Sequence, residues 1–374
     1  MNHSHSSFYF SDNYLYSTKS NLNESMEVDI CLHPFLLWKK ESKINQYGGD
    51  TIASYIKGKE EDVVYAFFFL NNFSNKVGNM SRVDSAEFWK CPINTITENN
   101  TTIISGKTIS DHLQSFIDKY QLTYSMVVVP YVHKEEFKKY NPYVTSNIEA
   151  FIRIKNINEN SIFYVIDEYD MYRVDYKNKI LSCTAMTCGN IMAMVSCICC
   201  DIIVKLNDKL YETGIRNNSI EYKKVCKRLY FSVLRKLVLA NTTNMNLDRL
   251  FGTQDLEFGI KKDNKMITYK LDCNSANEIC KSWIDKFIKD MKLYISKDMG
   301  DSDTKYYIIG DFAHLLYNAQ KEFKGNGEVE AKSVELFSQG GLVLFKEIRG
   351  SVKIDSKLLQ SRLQVSNIGE SMTY

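Results

Sequence analysis

Three carboxylates, Asp167, Glu168 and Asp170, follow the apolar run 163–166 (FYVI) and sit in a tight turn before a second strand. Carboxylates gathered at the end of a buried strand have the hard oxygen chemistry that suits a divalent cation, with Asp167 and Asp170 as the candidate ligands. The simpler reading is a solvated acidic turn. Beyond a second and a third strand, Gly189-Asn190 opens a long apolar helix. A turn that grips phosphate needs glycine, because bare main chain must approach the oxygens closely and often adopts φ > 0. From Phe163 to Cys188 there is no glycine.

The second reactive group is sulfur. Of ten cysteines, Cys197, Cys199 and Cys200 crowd one helix and Cys183 and Cys188 flank its entry. Cys-x-Cys-Cys is not a zinc-knuckle spacing and no histidine lies nearby, so a metal or redox site gives way to small apolar residues filling a core helix. The start, MNHSHSSFYFSDNY, lacks a basic region followed by an apolar run, so no secretion leader is expected. Free thiols then suit a reducing, cytoplasmic setting. Triplets such as Asn79-Met80-Ser81 are expected by chance in a chain this rich in Asn, Ser and Thr.

The elements that must position these groups belong to an ordinary globular chain. Its 374 residues, 44% hydrophobic, suffice for two lobes with separate cores. A net charge of +2 gives no electrostatic case for nucleic acid or an acidic membrane surface. The apolar stretch 191–204 is broken by Asp201 and too short to span a bilayer. Four prolines and no Pro/Gly/Ser-rich linker predict one compact module.

Along the chain, residues 1–25 read as polar and loose, 26–38 as strand material, and 63–73 as a short apolar helix or strand. A helix is expected over 108–120, with Ser110 as N-cap and Ile109, Leu113, Phe116, Ile117 and Tyr120 on one face. A buried strand ends at Pro130, a short helix covers HKEEFKKY, and 147–154 reads as apolar and β-like. Helices follow at 191–206, 219–239 and 275–295, with a strand pair at 256–260 and 266–271. A strand at 306–309 leads through Gly310-Asp311 into a helix to Phe323. The last helix, 334–348, is interrupted by Gly340-Gly341. Strands alternating with helices favour an α/β fold.

The ordered set TYSMVVVPYVHKEEF, FYVIDEYDMYRVD, TAMTCGN, YYIIGDFAHLL and SVELFSQGGLVLF resembles the ATPase domain of the heat-shock 70-kDa (DnaK-type) chaperones, within the actin-like superfamily. The likeness covers roughly residues 26–348. It implies an actin-like ATPase fold: two lobes, each a mixed sheet flanked by helices, around a deep cleft. The implied boundaries are 1–25 for an N-terminal segment holding a first phosphate hairpin, 26–160 for lobe I and 161–330 for lobe II. Residues 331–349 would form a closing helix returning to lobe I, and 350–374 a tail with Leu358, Leu359 and Leu363 and no peptide-gripping β-sandwich.

The departures from the family pattern are systematic. Asp167 stands where the second hairpin's aspartate stands, but Tyr169, Asp170 and Met171 take the glycine positions. The first hairpin falls on FSDNYLYS, with Asp12 at the aspartate position and no glycine. Phe67 falls near the family's catalytic lysine and cannot stabilise a transferring phosphoryl group. The connection from Pro130 to the Phe163 strand looks too short for the helix that carries the family's catalytic glutamate. Each lost charge-assisted contact is worth about 1.5–3 kcal/mol, so several together abolish phosphate affinity. The adenine side keeps more of its character. The resemblance places Asp12, Asp167, Gly189, Asn190, Ser232, Arg235, Lys236, Gly310 and Asp311 around any retained ATP or ADP with magnesium. Phe312 either stacks on a ring or fills its pocket, and His314 reads as a surface or half-buried side chain.

The expected function is therefore that of a divergent chaperone or co-chaperone of this family, a pseudoenzyme with weak or lost ATP binding and hydrolysis that binds a partner: another chaperone, a J-domain protein or the ribosome, with no nucleic acid or membrane partner. An active divergent ATPase and an actin-like filament subunit, using the 67–69 phenylalanine run as a self-surface, stand as alternatives. No Walker A loop, dinucleotide fingerprint, His-Glu-x-x-His or Gly-x-Ser-x-Gly occurs.

Overall fold

The computed structural model describes residues 5–20, 26–32, 36–40, 43–47, 63–65, 95–98, 101–104, 107–108, 114, 117–118, 120–122, 125–168, 171–217, 219–243, 247–300, 302–348 and 363–365. It is an α/β protein built on two mixed sheets flanked by helices.

Sheet I contains β1 (His5–Phe10), β2 (Tyr14–Ser20), β3 (Met26–Leu32), β10 (Met126–Val129), β11 (Val144–Ser146) and β19 (Leu363–Val365), in the order β11-β10-β1-β2-β3-β19. Sheet II contains β12 (Ser161–Ile166), β13 (Met171–Lys177), β14 (Ile180–Ala185), β17 (Lys305–Ile309) and β18 (Gly327–Val329), in the order β14-β13-β12-β17-β18. The five-strand plan is the same in both. A first strand is central, two antiparallel strands follow on one side, and two parallel strands lie on the other. Central strands buried on both faces read as continuous apolar runs, and every residue of β10 and β12 is buried. The edge strand β14 is exposed along most of its length.

Residues 5–20 are not loose. Strands β1 and β2 lie inside sheet I, with Tyr9, Phe10 and Tyr14 fully buried. The polar letters that suggested a loose segment, among them Ser7, Ser11, Ser17 and Thr18, are themselves buried. Within 26–38, residues 26–32 form β3 and 36–38 start a separate strand, β4 (Leu36–Lys40), which pairs with β5 (Lys43–Tyr47) and β6 (Val63–Tyr65). A further small sheet joins β7 (Thr95–Glu98), β8 (Thr101–Ile104) and β9 (Lys107–Thr108). In the 108–120 segment Thr108 ends a strand and Gln114, Ile117 and Asp118 are helical; Ser110, Ile109, Leu113 and Phe116 lie outside the described residues.

A short helix α1 (Lys134–Phe137) follows β10 through a 3₁₀ turn. The β-like reading of 147–154 is wrong: the segment is helix α2 (Asn147–Lys155). Ser146 accepts a hydrogen bond from the Glu149 N–H, and the Glu149 carboxylate accepts one from the Ser146 N–H at 2.9 Å. This capping box satisfies donors that a helix start otherwise leaves unpaired, and Ser-x-x-Glu was its visible sign.

The remaining helices are α3 (Ile191–Glu212), α4 (Ile220–Thr243), α5 (Cys273–Met299), a 3₁₀ helix (Ala313–Glu322) and α6 (Ser333–Ile348). Between α4 and α5 a hairpin of β15 (Leu256–Lys262) and β16 (Lys265–Leu271) turns through Asp263 and Asn264, both at positive φ. In α5, Phe287 and Met291 are buried as expected, but Ile279, Trp283 and Ile288 are only partly so; Ala276, Cys280, Ile284 and Ile295 complete the buried stripe.

The two halves meet through α2 and α6. Phe151 of α2 packs edge-on against Phe163 and Tyr307 of sheet II, at 6.1 and 5.5 Å between ring centres. Helix α6, continuous through Gly340-Gly341 and not interrupted there, lies on sheet I. The glycines serve close approach: a Cβ at Gly340 would run into the Ala150 carbonyl, and one at Gly341 into Val128 and Ser7. Gly340→Ala is therefore expected to lower unfolding free energy by about 1–3 kcal/mol in urea titrations. Gly189→Ala, where a Cβ meets nothing within 4 Å, should stay within about 0.5 kcal/mol of the parent. Ser146→Ala should cost about 1 kcal/mol through loss of the cap.

Candidate functional site

Three segments converge where the two halves face each other: the β1–β2 turn, the end of β12 and the turn after β17. Gly310 closes β17 with φ +118°, a conformation that L side chains rarely adopt, and a Cβ there would lie 2.7 Å from the Ile166 carbonyl oxygen. The chain can turn against β12 only with glycine at this position. The next residue, Asp311, is thereby fixed; its N–H donates to Asp167 Oδ1 at 3.0 Å.

The Asp311 side chain crosses to sheet I. Tyr9 Oη donates to its Oδ1 at 2.8 Å, Ser11 Oγ to its Oδ2 at 2.7 Å, and Asn13 Nδ2 to Oδ2 at 3.4 Å. Ser11 Oγ also accepts the N–H groups of Asn13 and Tyr14, at 3.3 and 3.1 Å. Both of these N–H groups of the turn are thus engaged by a side chain. Tyr14 Oη donates to the Val238 carbonyl of α4 at 2.9 Å, and Asn241 Nδ2 reaches both Tyr14 Oη and the Asp311 carbonyl. The meeting point is closed to solvent: Tyr9 and Tyr14 are fully buried and Asp311 is 1% exposed.

Burial raises the Asp311 carboxyl to about 6, against the Ser11, Tyr9 and Asn13 donors, which lower it; the Glu168 carboxylate adds to the rise. Burial and then the Asp311 and Asp167 carboxylates hold the Tyr9 phenol well above its ordinary value. Desolvation therefore outweighs the hydrogen bonds, as expected for a carboxylate met by neutral donors alone.

The residues expected around a nucleotide separate into groups. Asp167, Gly310 and Asp311 come together as described, and Asp12 sits half-buried in the β1–β2 turn beside Ser11. Asn190 is the N-cap of α3, its side chain accepting from the Ala193 N–H at 2.8 Å; the Met192 N–H at the same helix start donates to the Glu168 carbonyl. Gly189 is exposed. Ser232 and Arg235 are buried on α4, and Lys236 is partly buried, its ammonium lowered by burial and then by Arg235. Phe312 is buried core. His314 is not at the surface: it is 9% exposed, its Nε2 lies 3.1 Å from the Leu237 carbonyl, and burial lowers it to about 4. Met171, at a position expected to hold glycine, is buried at the start of β13, while Tyr169, Asp170 and the 67–69 phenylalanines lie outside the described residues.

Glu168 is no solvated turn residue. It is 2% exposed and accepts from Tyr230 Oη of α4 at 2.9 Å. Among the described residues no group of three or more His, Cys, Asp or Glu is arranged to hold a metal ion. Cys199, Cys226 and Cys280 are buried among α3, α4 and α5; burial pushes the Cys226 and Cys280 thiols up to about 12 and Cys199 well above its ordinary value. Such thiols are packing, not nucleophiles.

Tyr9, Ser11 and Asn13 were missed as functional residues. Their sign was a Ser-x-Asn turn between two strands, in the same stretch that drew attention to Asp12.

No protein-family model matches the chain, and no curated protein matches its sequence. Among the described residues no helix is long and apolar enough to cross a membrane.

The raised Asp311 carboxyl has a defined consequence for pH dependence. The folded state holds its proton up to about pH 6, the unfolded chain only to about 4, so between these values the folded state binds more protons. Stability from this group is full below about pH 4 and is lost as pH rises through 6. Asp311→Asn keeps the shape without the charge. In paired urea titrations the variant should gain roughly 2 kcal/mol on the parent between pH 4.5 and 7.5. A constant difference across that range would refute the assignment.

Proposed function

We propose that this chain is an actin-like, two-lobed module related to the ATPase domain of the heat-shock 70-kDa chaperones, one that has lost nucleotide chemistry and acts by binding a partner protein. The repeated five-strand plan supports the fold: one central strand, two antiparallel neighbours and two parallel ones, twice, with α2 and α6 between. Such a fold places its ligand between the lobes, where the two hairpins and the turn after β17 meet. The observation that carries the loss of nucleotide chemistry is the carboxylate at that point. On this reading Asp311 brings a negative charge into the cleft that a nucleotide would occupy, and Tyr9, Ser11 and Asn13 are committed to it. A bound polyphosphate would have to displace a buried carboxylate and then face it, at a Coulombic cost that a low-dielectric setting magnifies. Ser11 further occupies two N–H groups that a phosphate hairpin offers its ligand.

The function then lies in surfaces. By the family resemblance, the partner is another chaperone, a J-domain protein or the ribosome, in the cytoplasm. Isothermal titration of the whole chain with magnesium-ATP tests the reading: no saturable heat and no phosphate release are expected at nucleotide concentrations up to about a millimolar, where physiological ligands act. Micromolar binding with turnover would establish the active-ATPase alternative instead.

A further inference from the structure

We propose that Arg235, with Lys236 and Ser232, forms a site on α4 for a small oxyanion of the phosphate class. Residues three and four apart share a helix face, so Arg228, Ser232, Arg235 and Lys236 lie along one side of α4. At about 100° per residue this is roughly the side opposite Tyr230, Val238 and Asn241, which meet Glu168, Tyr14 and the Asp311 carbonyl. The site is thus on a different side of α4 from the meeting point of the two sheets. Arg235 is 8% exposed, yet among the described residues its guanidinium makes no hydrogen bond and no ion pair, and its Nε is buried without an acceptor. An arginine stays charged and carries five N–H donors, so burying it without acceptors is costly. Arg228, on the same side, donates to the Gly259 carbonyl of β15; nothing comparable meets Arg235 among the described residues. Nearby carboxylates are engaged elsewhere. Glu168 accepts from Tyr230, Glu257 of β15 pairs with Lys270, and the acidic residue of α4 itself, Glu221, lies in its first turn.

The donors select the ligand class. A guanidinium offers parallel N–H bonds to an oxyanion, Lys236 adds a second positive charge, and the Ser232 hydroxyl is a further donor. Two cations suit a dianion, whereas a neutral heterocycle would leave the buried charge uncompensated. Burial and then Arg235 hold the Lys236 ammonium below its ordinary value, and an anion beside both cations relieves that repulsion. With Arg235 and Ser232 each 8% exposed the approach is narrow, which favours a small ion. The site goes beyond the reading of the preceding section and is tested separately from it: magnesium-ATP titration probes that reading, and phosphate titration probes this one.

The experiment is phosphate binding to the full chain, read by equilibrium dialysis with radiolabelled inorganic phosphate and by melting temperature at constant pH and ionic strength. The parent should bind phosphate saturably at about a millimolar or below, and should melt a few degrees higher in phosphate than in chloride. Arg235→Met should abolish both effects. In chloride this variant should melt above the parent, because it removes a buried charge that has no partner. Arg235→Lys keeps the charge without the paired N–H fork, and its phosphate affinity should fall at least several-fold. Adenosine, which is uncharged, should leave the melting temperature unmoved. No saturable phosphate binding by the parent, binding unchanged in Arg235→Met, an Arg235→Met variant less stable than the parent in chloride, or stabilisation by adenosine equal to that by phosphate would each overturn the assignment.

Discussion

One buried carboxylate joins the halves of this molecule. Asp311 belongs by sequence to the second sheet, yet among the described residues its side chain is hydrogen-bonded to the first, through Tyr9, Ser11 and Asn13. A carboxylate taken out of water loses several kcal/mol of solvation unless donors replace it. Among the described residues three neutral donors meet it and no cation pairs with it, and the upward displacement of the Asp311 titration records how incomplete that replacement is. Much of the local design serves this contact. Gly310 provides the turn, Asp167 holds the backbone, Asn241 and Tyr14 close the side toward α4, and His314 ties the following 3₁₀ helix to the same helix.

The contact rests on a packing framework that brings the segments together. Helices α2 and α6 lie between the sheets at a separation only glycine permits, and aromatic rings from both halves meet there. Ion pairs on the rim, Arg153 with Glu347 and Lys155 with Glu330, are partly exposed and contribute little by comparison. The buried side chains set the distance between the halves, and the carboxylate sits in the space that distance leaves. This ordering explains why the meeting point is closed to solvent, with Tyr9 and Tyr14 fully buried and Asp311 nearly so.

Much of the secondary structure was legible because its periodicity is strong. The apolar runs of β10 and β12, the hairpin 256–271 and the long helices α4 and α5 are dictated by burial patterns that local sequence carries. Two readings failed for a common reason. Residues 5–20 look polar, and 147–154 look β-like, when judged by hydropathy alone. Buried serines and threonines that hydrogen-bond within a sheet do not register as core. A capping box outweighs the weak helix propensity of an Asn-Ile start. The supposed break at Gly340-Gly341 failed differently. Glycine lowers helix propensity, but close packing against Ala150 compensates in the folded protein, and that neighbour is distant in sequence.

By itself the sequence determined an alternation of strands and helices, the absence of glycine between Phe163 and Cys188, and the presence of Gly310 before an acidic residue. These are local properties of side-chain type and spacing. Only the tertiary structure decided that the two sheets repeat one strand plan and that Glu168 is buried against Tyr230. It alone decided, too, that the Asp311 carboxylate ends its path on Ser11, three hundred residues away in the chain. The physical reason is range. Propensity and periodicity act over one or two turns of chain, whereas a hydrogen bond across an interface depends on where two separately folded surfaces come to rest.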